Sequence, residues 1–108
     1  MNKLIIDAAN DNIFLMIIGN DFNHNISCEN SKINYEKLTL IIYEFKKSKK
    51  LNLNKISQIY VNRGPGSFAG IRNSLSIVKA INLVKKIDYY CFSLSDFKGE
   101  NQLIHEKI

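Results

Sequence analysis

The sequence predicts an α/β fold: a five-stranded mixed sheet of strand order 3-2-1-4-5 with two main helices. Five apolar runs have strand length, and between the last three of them the apolar residues change to the three- and four-residue spacing of helices. A chain of 108 residues with 45% hydrophobic and 23% charged residues can form one core but is too short for two ordinary domains. We therefore expect residues 1–108 to form a single domain.

The first three strands are expected to form a meander. Residues 3–8 and 13–18 are apolar and β-branched, and the Asn and Asp residues of the intervening segment 9–12 tolerate turn conformations, which predicts a hairpin. Residues 22–29 alternate apolar and polar side chains, which indicates a weaker third strand at the edge of the sheet.

Helical spacing appears in two later segments, each followed by a strand. The apolar stripe expected to face the sheet in the first helix, over residues 33–47, is Leu38, Ile41, Ile42 and Phe45. In the second helix the corresponding stripe is Ile71, Leu75, Val78, Ile81 and Val84. Residues 56–61 read as a buried strand and residues 88–92 as the fifth strand, and a short helix is expected to begin near Ser95, with Asp96 favourable in its first turn.

This order of elements is that of the ribonuclease H-like fold, which also forms the lobes of actin-like ATPases. Because parallel strands joined by a helix require a crossover connection, strands four and five are placed beside strand one. Cys28 and Cys91 then lie on opposite edge strands, so we expect buried, reduced thiols without a disulfide. His24 and His105 are isolated in the sequence, and no metal site is predicted.

Charge and hydropathy narrow the class of partner and the compartment. The net charge of +5 comes mostly from dispersed lysines, and the densest cluster, residues 46–50, falls at a predicted helix end, where the helix dipole favours solvated cations. A tRNA phosphate contact there is the alternative. No apolar run approaches the ~20 residues of a membrane helix, and the amino terminus does not resemble a signal peptide, so a cytoplasmic location is expected.

Both helices carry apolar residues beyond the stripe that faces the sheet. These are Leu40 and Tyr43 on the first helix and Ile77 and Leu83 on the second. A second apolar face favours a protein partner. The alternative is that these side chains are buried within the domain, or exposed singly without consequence.

The most informative segment joins strand four to the second helix: Gly64, Pro65, Gly66, Ser67, Phe68, Ala69, Gly70, Ile71 and Arg72. Its glycines permit positive φ angles and close backbone approach, Pro65 stiffens the turn, and Ser67 can cap the helix. The segment closely resembles the Gly-Pro-Gly-Ser-Phe-Thr-Gly-Leu-Arg signature of the TsaB (YeaZ) family of tRNA threonylcarbamoyladenosine biosynthesis. Further matches to the family are residues 4–7, Leu75, Lys79 and residues 92–94.

The sequence departs from the family pattern in three places. Ala69 replaces the usual Thr of the signature, and Ala8-Ala9-Asn10 stands where the family commonly has Thr-Ser-Thr, so hydroxyls near the ancestral phosphate loop are missing. The family's second lobe has no counterpart, and the chain is expected to be the amino-terminal lobe alone. A function that needs a cleft between two lobes is therefore not expected.

The resemblance implies a non-catalytic role without cofactor or metal. It implies docking through the helices onto the catalytic paralogue TsaD, contact with the pathway ATPase TsaE, an indirect relation to tRNA, and no membrane. Leu40, Tyr43, Ile77 and Leu83 are then candidate interface residues, and Arg72 is expected to fix the loop or contact the partner. A homodimer through the same helices is a further expectation for a lobe without its partner.

Two catalytic or ligand-binding classes remain as alternatives. Gly64, Gly66 and Ala69 match a loose phosphate-binding fingerprint before a helix, which would suit an actin-like ATPase lobe, although Pro65 lacks a backbone donor. A ribonuclease H-type nuclease would use Asp7 and Glu36 to hold metals, but Asn62-Arg63 replaces the next carboxylate. Asp7 is interpreted as a carboxylate near a turn, and Ser67 as a helix cap in place of a nucleophile.

Overall fold

A computed structural model describes residues 2–93 of the chain. Its strands are β1 (Asn2–Asp7), β2 (Asn12–Ile18), β3 (Asn23–Glu29), β4 (Ile56–Asn62) and β5 (Asp88–Phe92). Its α-helices are α1 (Lys32–Glu36), α2 (Leu38–Ser48) and α3 (Phe68–Lys85), and a 3-10 turn spans Leu53–Lys55. Leu94, the predicted helix near Ser95 and Asp96, and His105 lie outside the described residues.

The sheet has the predicted strand order β3-β2-β1-β4-β5. Strand β1 pairs antiparallel with β2 and parallel with β4, while β3 and β5 form the two edges. The order and the mixture of parallel and antiparallel pairs confirm the predicted ribonuclease H-like class. Because β1 and β4 are parallel, their carboxyl ends meet at one edge of the sheet, where α3 begins.

Two apolar clusters lie on the two faces of the sheet. The larger one fills the space between the sheet and the helices and is centred on the fully buried side chains of β1, β2 and β4. From the helices it receives Leu38, Ile42, Phe45 and Val78, which belong to the predicted stripes. The smaller cluster, on the opposite face, contains Ile5, Met16 and Phe92, with Tyr60 packed against it.

The single helix predicted over residues 33–47 is wrong, because the chain breaks into α1 and α2 at Lys37. The backbone amide of Lys37 donates to the carbonyl of Asn34, three residues back, at 3.0 Å. The carbonyl of Tyr35 instead accepts from the Asn73 side chain of α3 at 3.1 Å. A tertiary hydrogen bond therefore takes a carbonyl that the continuous helix would have used, and periodicity alone does not report it.

Three further expectations about burial are wrong. Val84, placed on the stripe facing the sheet, is 75% exposed, because it lies in the last turn of α3. The cysteines are free, as expected, but Cys91 is exposed and Cys28 only half-buried, because both are on edge strands. Within the 46–50 cluster, Lys47, Lys49 and Lys50 are exposed, whereas Lys46 is buried. No helix within residues 2–93 has the length and apolarity needed to cross a bilayer.

The burial of Ile59 and the exposure of Leu83 predict effects of very different size for two truncations. Ile59→Ala removes a fully buried side chain of β4 and should lower the free energy of unfolding by about 2–5 kcal/mol in urea titrations. Leu83→Ala, the control, removes a side chain that is 72% exposed and should change it by less than about 0.5 kcal/mol. A large loss for Leu83→Ala would contradict the described orientation of α3.

Candidate functional site

The turn between β4 and α3 contains the backbone conformations that its glycines were expected to permit. Gly64 has a φ of +106°, in the region that favours glycine, and a Cβ there would lie 2.8 Å from the Ile71 side chain. The backbone amide of Gly64 donates to Oδ1 of Asn62 at 2.8 Å, which closes the turn. The turn is thus held by contacts within the chain.

Gly66 and Gly70 bring the start of α3 directly against the end of β1. A Cβ on Gly66 would overlap the carbonyl oxygen of Ala9, and a Cβ on Gly70 would overlap that of Ala8. Between them, the backbone amide of Ser67 donates to the Ala9 carbonyl at 2.8 Å. The close approach that these glycines permit is therefore used by residues 8–9 of the same chain, where a phosphate-binding loop would leave room for a ligand.

The first residues of α3 satisfy part of their own hydrogen bonding. Ser67 is the N-cap, as predicted, and its Oγ accepts from the backbone amide of Gly70 at 3.2 Å. Phe68 follows the cap and is exposed, and the Arg72 guanidinium lies over its ring at 5.5 Å. Arg72 therefore packs on an exposed aromatic side chain of the helix, and its predicted contact with a partner stays a prediction.

Asp7 is buried at the same edge of the sheet, where β1 ends. Its Oδ1 accepts from the backbone amide of Ala9 and from Nδ2 of Asn62, both at 3.1 Å, and its Oδ2 accepts from Nδ2 of Asn10 at 3.0 Å. Burial raises the pKa of the Asp7 carboxyl, and this effect outweighs the three donors, which lower it. Since Asn62 also accepts from Gly64, the carboxylate connects β1, β4 and the glycine turn.

Asn30, which the sequence did not single out, fastens the β1–β2 connection to the end of β3. Its Nδ2 donates to the carbonyls of Ala8 and Asn10, both at 2.8 Å. Its Oδ1 is buried without a partner among the described residues. Asn30 also lines an open hollow of about 620 Å³ beside the glycine turn, together with Glu29, Gly66, Ser67 and residues 9–12. An isolated Asn after a weak strand has no sequence pattern that distinguishes it.

Asp7 and Glu36, the two carboxylates that a nuclease would use to hold metals, lie in different parts of the molecule. Asp7 is enclosed by the Asn side chains, whereas Glu36 lines a hollow between α1 and α3 with Arg72 and Asn73. Within residues 2–93, no three His, Cys, Asp or Glu side chains come together as potential metal ligands. The interpretation of Asp7 as a structural carboxylate therefore accounts for its surroundings better than a metal-binding role.

The outer surface of α2 and α3 carries an apolar groove and several exposed apolar side chains. Between the helices runs a groove of about 400 Å³, lined by Thr39, Ile42, Tyr43, Lys46, Leu53, Ser76, Ile77, Ala80 and Ile81. We call this groove and the exposed apolar side chains of α2 and α3 the helical face. Exposed apolar surface of this kind is typical of protein-binding sites.

The predicted interface residues divide into two groups on the helical face. Leu40 and Tyr43 of α2 are 50% and 54% exposed, and Leu83 of α3 is 72% exposed. Ile77 is half-buried: it packs against the core cluster and also lines the groove. Val84 joins the exposed group, although periodicity assigned it to the core. Their role in binding stays a prediction.

Comparisons with known proteins identify relatives of part of the chain. No protein-family model matches it. Over 62 residues, 57% of this chain and 27% of the relative, it is 36% identical to "tRNA threonylcarbamoyladenosine biosynthesis protein TsaB" of Buchnera aphidicola subsp. Baizongia pistaciae. YeaZ from Pseudomonas aeruginosa superposes with a TM-score of 0.78 at 15% identity, covering 85% of this chain and 43% of YeaZ.

A second solved structure, named as an uncharacterized protein with similarity to peptidase YEAZ from Pseudomonas aeruginosa, gives a TM-score of 0.77 at 15% identity with the same coverage. At this identity the two structures show the fold. The chain spans less than half the length of each of these relatives.

The contact between α3 and β1 predicts that glycine cannot be replaced in the turn. Gly66→Ala and Gly70→Ala should each lower the free energy of unfolding by about 2–4 kcal/mol, because the new methyl group meets a backbone carbonyl. In a helix with free space beside the glycine, Gly→Ala would instead raise the free energy of unfolding by up to about 1 kcal/mol. Ser76→Ala, an exposed control on α3, should stay within about 0.5 kcal/mol. Stabilisation by Gly70→Ala would show that the helix does not approach β1.

Asp7 should give the stability of the fold a specific pH dependence. Folding raises the pKa of the Asp7 carboxyl above its ordinary value of 3.8. The contribution of Asp7 to the free energy of unfolding is therefore fully present below pH 3.8 and is lost as the pH rises through the raised pKa. The unfolding free energy of the wild type minus that of Asp7→Asn should therefore fall as the pH rises through this window. This difference can fall by at most about 1.4 kcal/mol for each pH unit. Urea titrations of both proteins over this pH range measure the difference, and a rising difference would contradict it.

Proposed function

We propose that the chain is a member of the TsaB (YeaZ) family and acts as a non-catalytic partner subunit in the formation of threonylcarbamoyladenosine on tRNA. The proposal takes the pathway from the relative named "tRNA threonylcarbamoyladenosine biosynthesis protein TsaB". In this role the chain corresponds to the amino-terminal lobe of its relatives and acts in the cytoplasm. Its partner is a TsaD-like catalytic subunit, and its relation to tRNA is indirect, through that subunit.

The helical face is the observation that supports docking most directly. Leu40, Tyr43, Leu83 and Val84 expose apolar side chains on the two helices, and the groove between the helices, which Tyr43 lines, is already formed in the isolated chain. An aromatic residue beside an apolar groove is the usual composition of the energetic centre of an interface. A partner helix that covers this face would remove these side chains from water at little cost in rearrangement of α2 and α3.

The surroundings of the glycine turn support a binding role over nucleotide chemistry. The space that Gly66 and Gly70 keep open is filled by the carbonyls of Ala8 and Ala9. The Asp7 carboxylate is committed to hydrogen bonds from Ala9, Asn10 and Asn62, which hold the turn. The same residues that resemble a phosphate loop in sequence therefore position α3, and with it the helical face.

Docking through the helical face predicts that charge introduced there will weaken association. Leu83→Asp and Tyr43→Asp should each weaken binding to the TsaD-like subunit at least about 10-fold in isothermal titration calorimetry, because each places a carboxylate in an apolar contact. Tyr90→Asp is the control: it introduces the same charge at a partly exposed aromatic residue of β5. Circular dichroism checks that the variants fold. Equal affinity of all four proteins, or loss only with Tyr90→Asp, would exclude the helical face.

A further inference from the structure

The groove of the helical face ends in a basic hollow at the carboxyl ends of α2 and α3. Lys46 lines both the groove and the adjoining hollow, which has a volume of about 300 Å³ and includes Lys47, Lys50 and Tyr43. Lys85, in the last turn of α3, is close enough to Lys46 to act on it electrostatically. Four lysines of the two helices and their ends thus surround one end of an apolar groove.

Lys46 differs from the other lysines because it is only 8% exposed. Burial lowers the pKa of its ammonium, and the positive charge of Lys85 lowers it further. Within residues 2–93, no carboxylate offsets these two effects. Because the Lys46 side chain is mostly buried and both burial and Lys85 disfavour its positive charge, an anion brought by a partner would stabilise that charge.

We propose that the groove between α2 and α3 receives an amphipathic helix of the catalytic subunit, and that a carboxylate on that helix pairs with Lys46. The apolar side chains of the incoming helix would fill the groove beside Ile77 and Ile81. Its Asp or Glu would reach the Lys46 ammonium at the basic end, with Lys47, Lys50 and Lys85 around it. This inference rests on the proposed function and adds the chemistry of the partner's contact surface.

Two other occupants fit the observations less well. A nucleic acid would meet the protruding lysines with its phosphates, but it would leave the apolar groove uncovered, and Lys46 is recessed within that groove. A second copy of the chain would bring the same lysine-rich helical face, so that its own surface supplies an excess of cations where an anion is needed. An acidic, amphipathic helix satisfies both the apolar and the basic parts of the surface.

Lys46→Met tests the pair because it keeps the length and apolar stem of the side chain and removes its charge. Binding to the TsaD-like subunit should weaken at least about 10-fold, and Lys46→Glu should weaken it further. Over a rise from about 50 to about 300 mM salt, the affinity of Lys46→Met should fall less steeply than that of the wild type. Lys32→Met, which removes one exposed lysine on α1, is the control and should bind like the wild type.

The free chain gives a second readout that separates a binding lysine from a structural one. Because burial and Lys85 both disfavour the positive charge of Lys46, Lys46→Met should raise the melting temperature of the isolated chain while it weakens binding. A lysine that only supports the fold would lower the melting temperature when replaced. Carbodiimide cross-linking of the wild-type complex, followed by mass spectrometry, should join Lys46 to an Asp or Glu of the partner.

The outcomes distinguish this inference from the proposed function. If Lys46→Met binds with unchanged affinity and salt dependence while Leu83→Asp does not bind, the carboxylate pair is wrong and docking through the helical face stands. If the wild type does not bind the TsaD-like subunit at all, both proposals fall. If Lys46→Met instead loses affinity for tRNA alone, or dissociates a homodimer, the acidic-helix assignment is overturned in favour of that occupant.

Discussion

The rest of the structure depends on the close approach between the start of α3 and the end of β1. Gly66 and Gly70 have no side chains where the carbonyls of Ala9 and Ala8 lie, and the Ser67 amide binds the Ala9 carbonyl across the gap. The hydrogen bond between the Asp7 and Asn62 side chains connects the ends of β1 and β4. Because α3 is fixed at its first turn, the direction of the whole helix across the sheet is determined there, and so is its spacing from α2.

That geometry makes the glycine turn, which matches a loose phosphate-binding fingerprint in sequence, a structural joint between β1 and α3. The helix amino terminus, which could receive an anion, is partly satisfied by Ser67 and covered by the chain's own backbone. At the other end, both helices finish in lysines, which the helix dipoles favour, and one of these is drawn into the groove. The surface that suits binding therefore lies on the outer side of the helices and not at the glycine turn.

Sequence patterns predicted the sheet well because strand length, β-branching and alternation report burial directly. All five strands lie where apolar runs placed them, and the crossover rule was sufficient for their order. Contacts between residues that are far apart in the sequence were not predictable. The break at Lys37 depends on Asn73 taking the Tyr35 carbonyl, and the roles of Asn30 and Asn62 depend on strand ends that meet only in the fold. The burial of Lys46 was likewise hidden, because a lysine at a helix end normally points to solvent.

The central claim is that this chain presents α2 and α3 to a protein partner, positioned by the glycine turn. Amide hydrogen–deuterium exchange of the chain, alone and with the TsaD-like subunit, tests this most directly, since it reports which surface the complex covers. Slower exchange confined to α2 and the second half of α3, with β3 and β5 unchanged, is the predicted result. Protection at residues 9–12 and 66–67 instead, with the helices unchanged, would contradict the account.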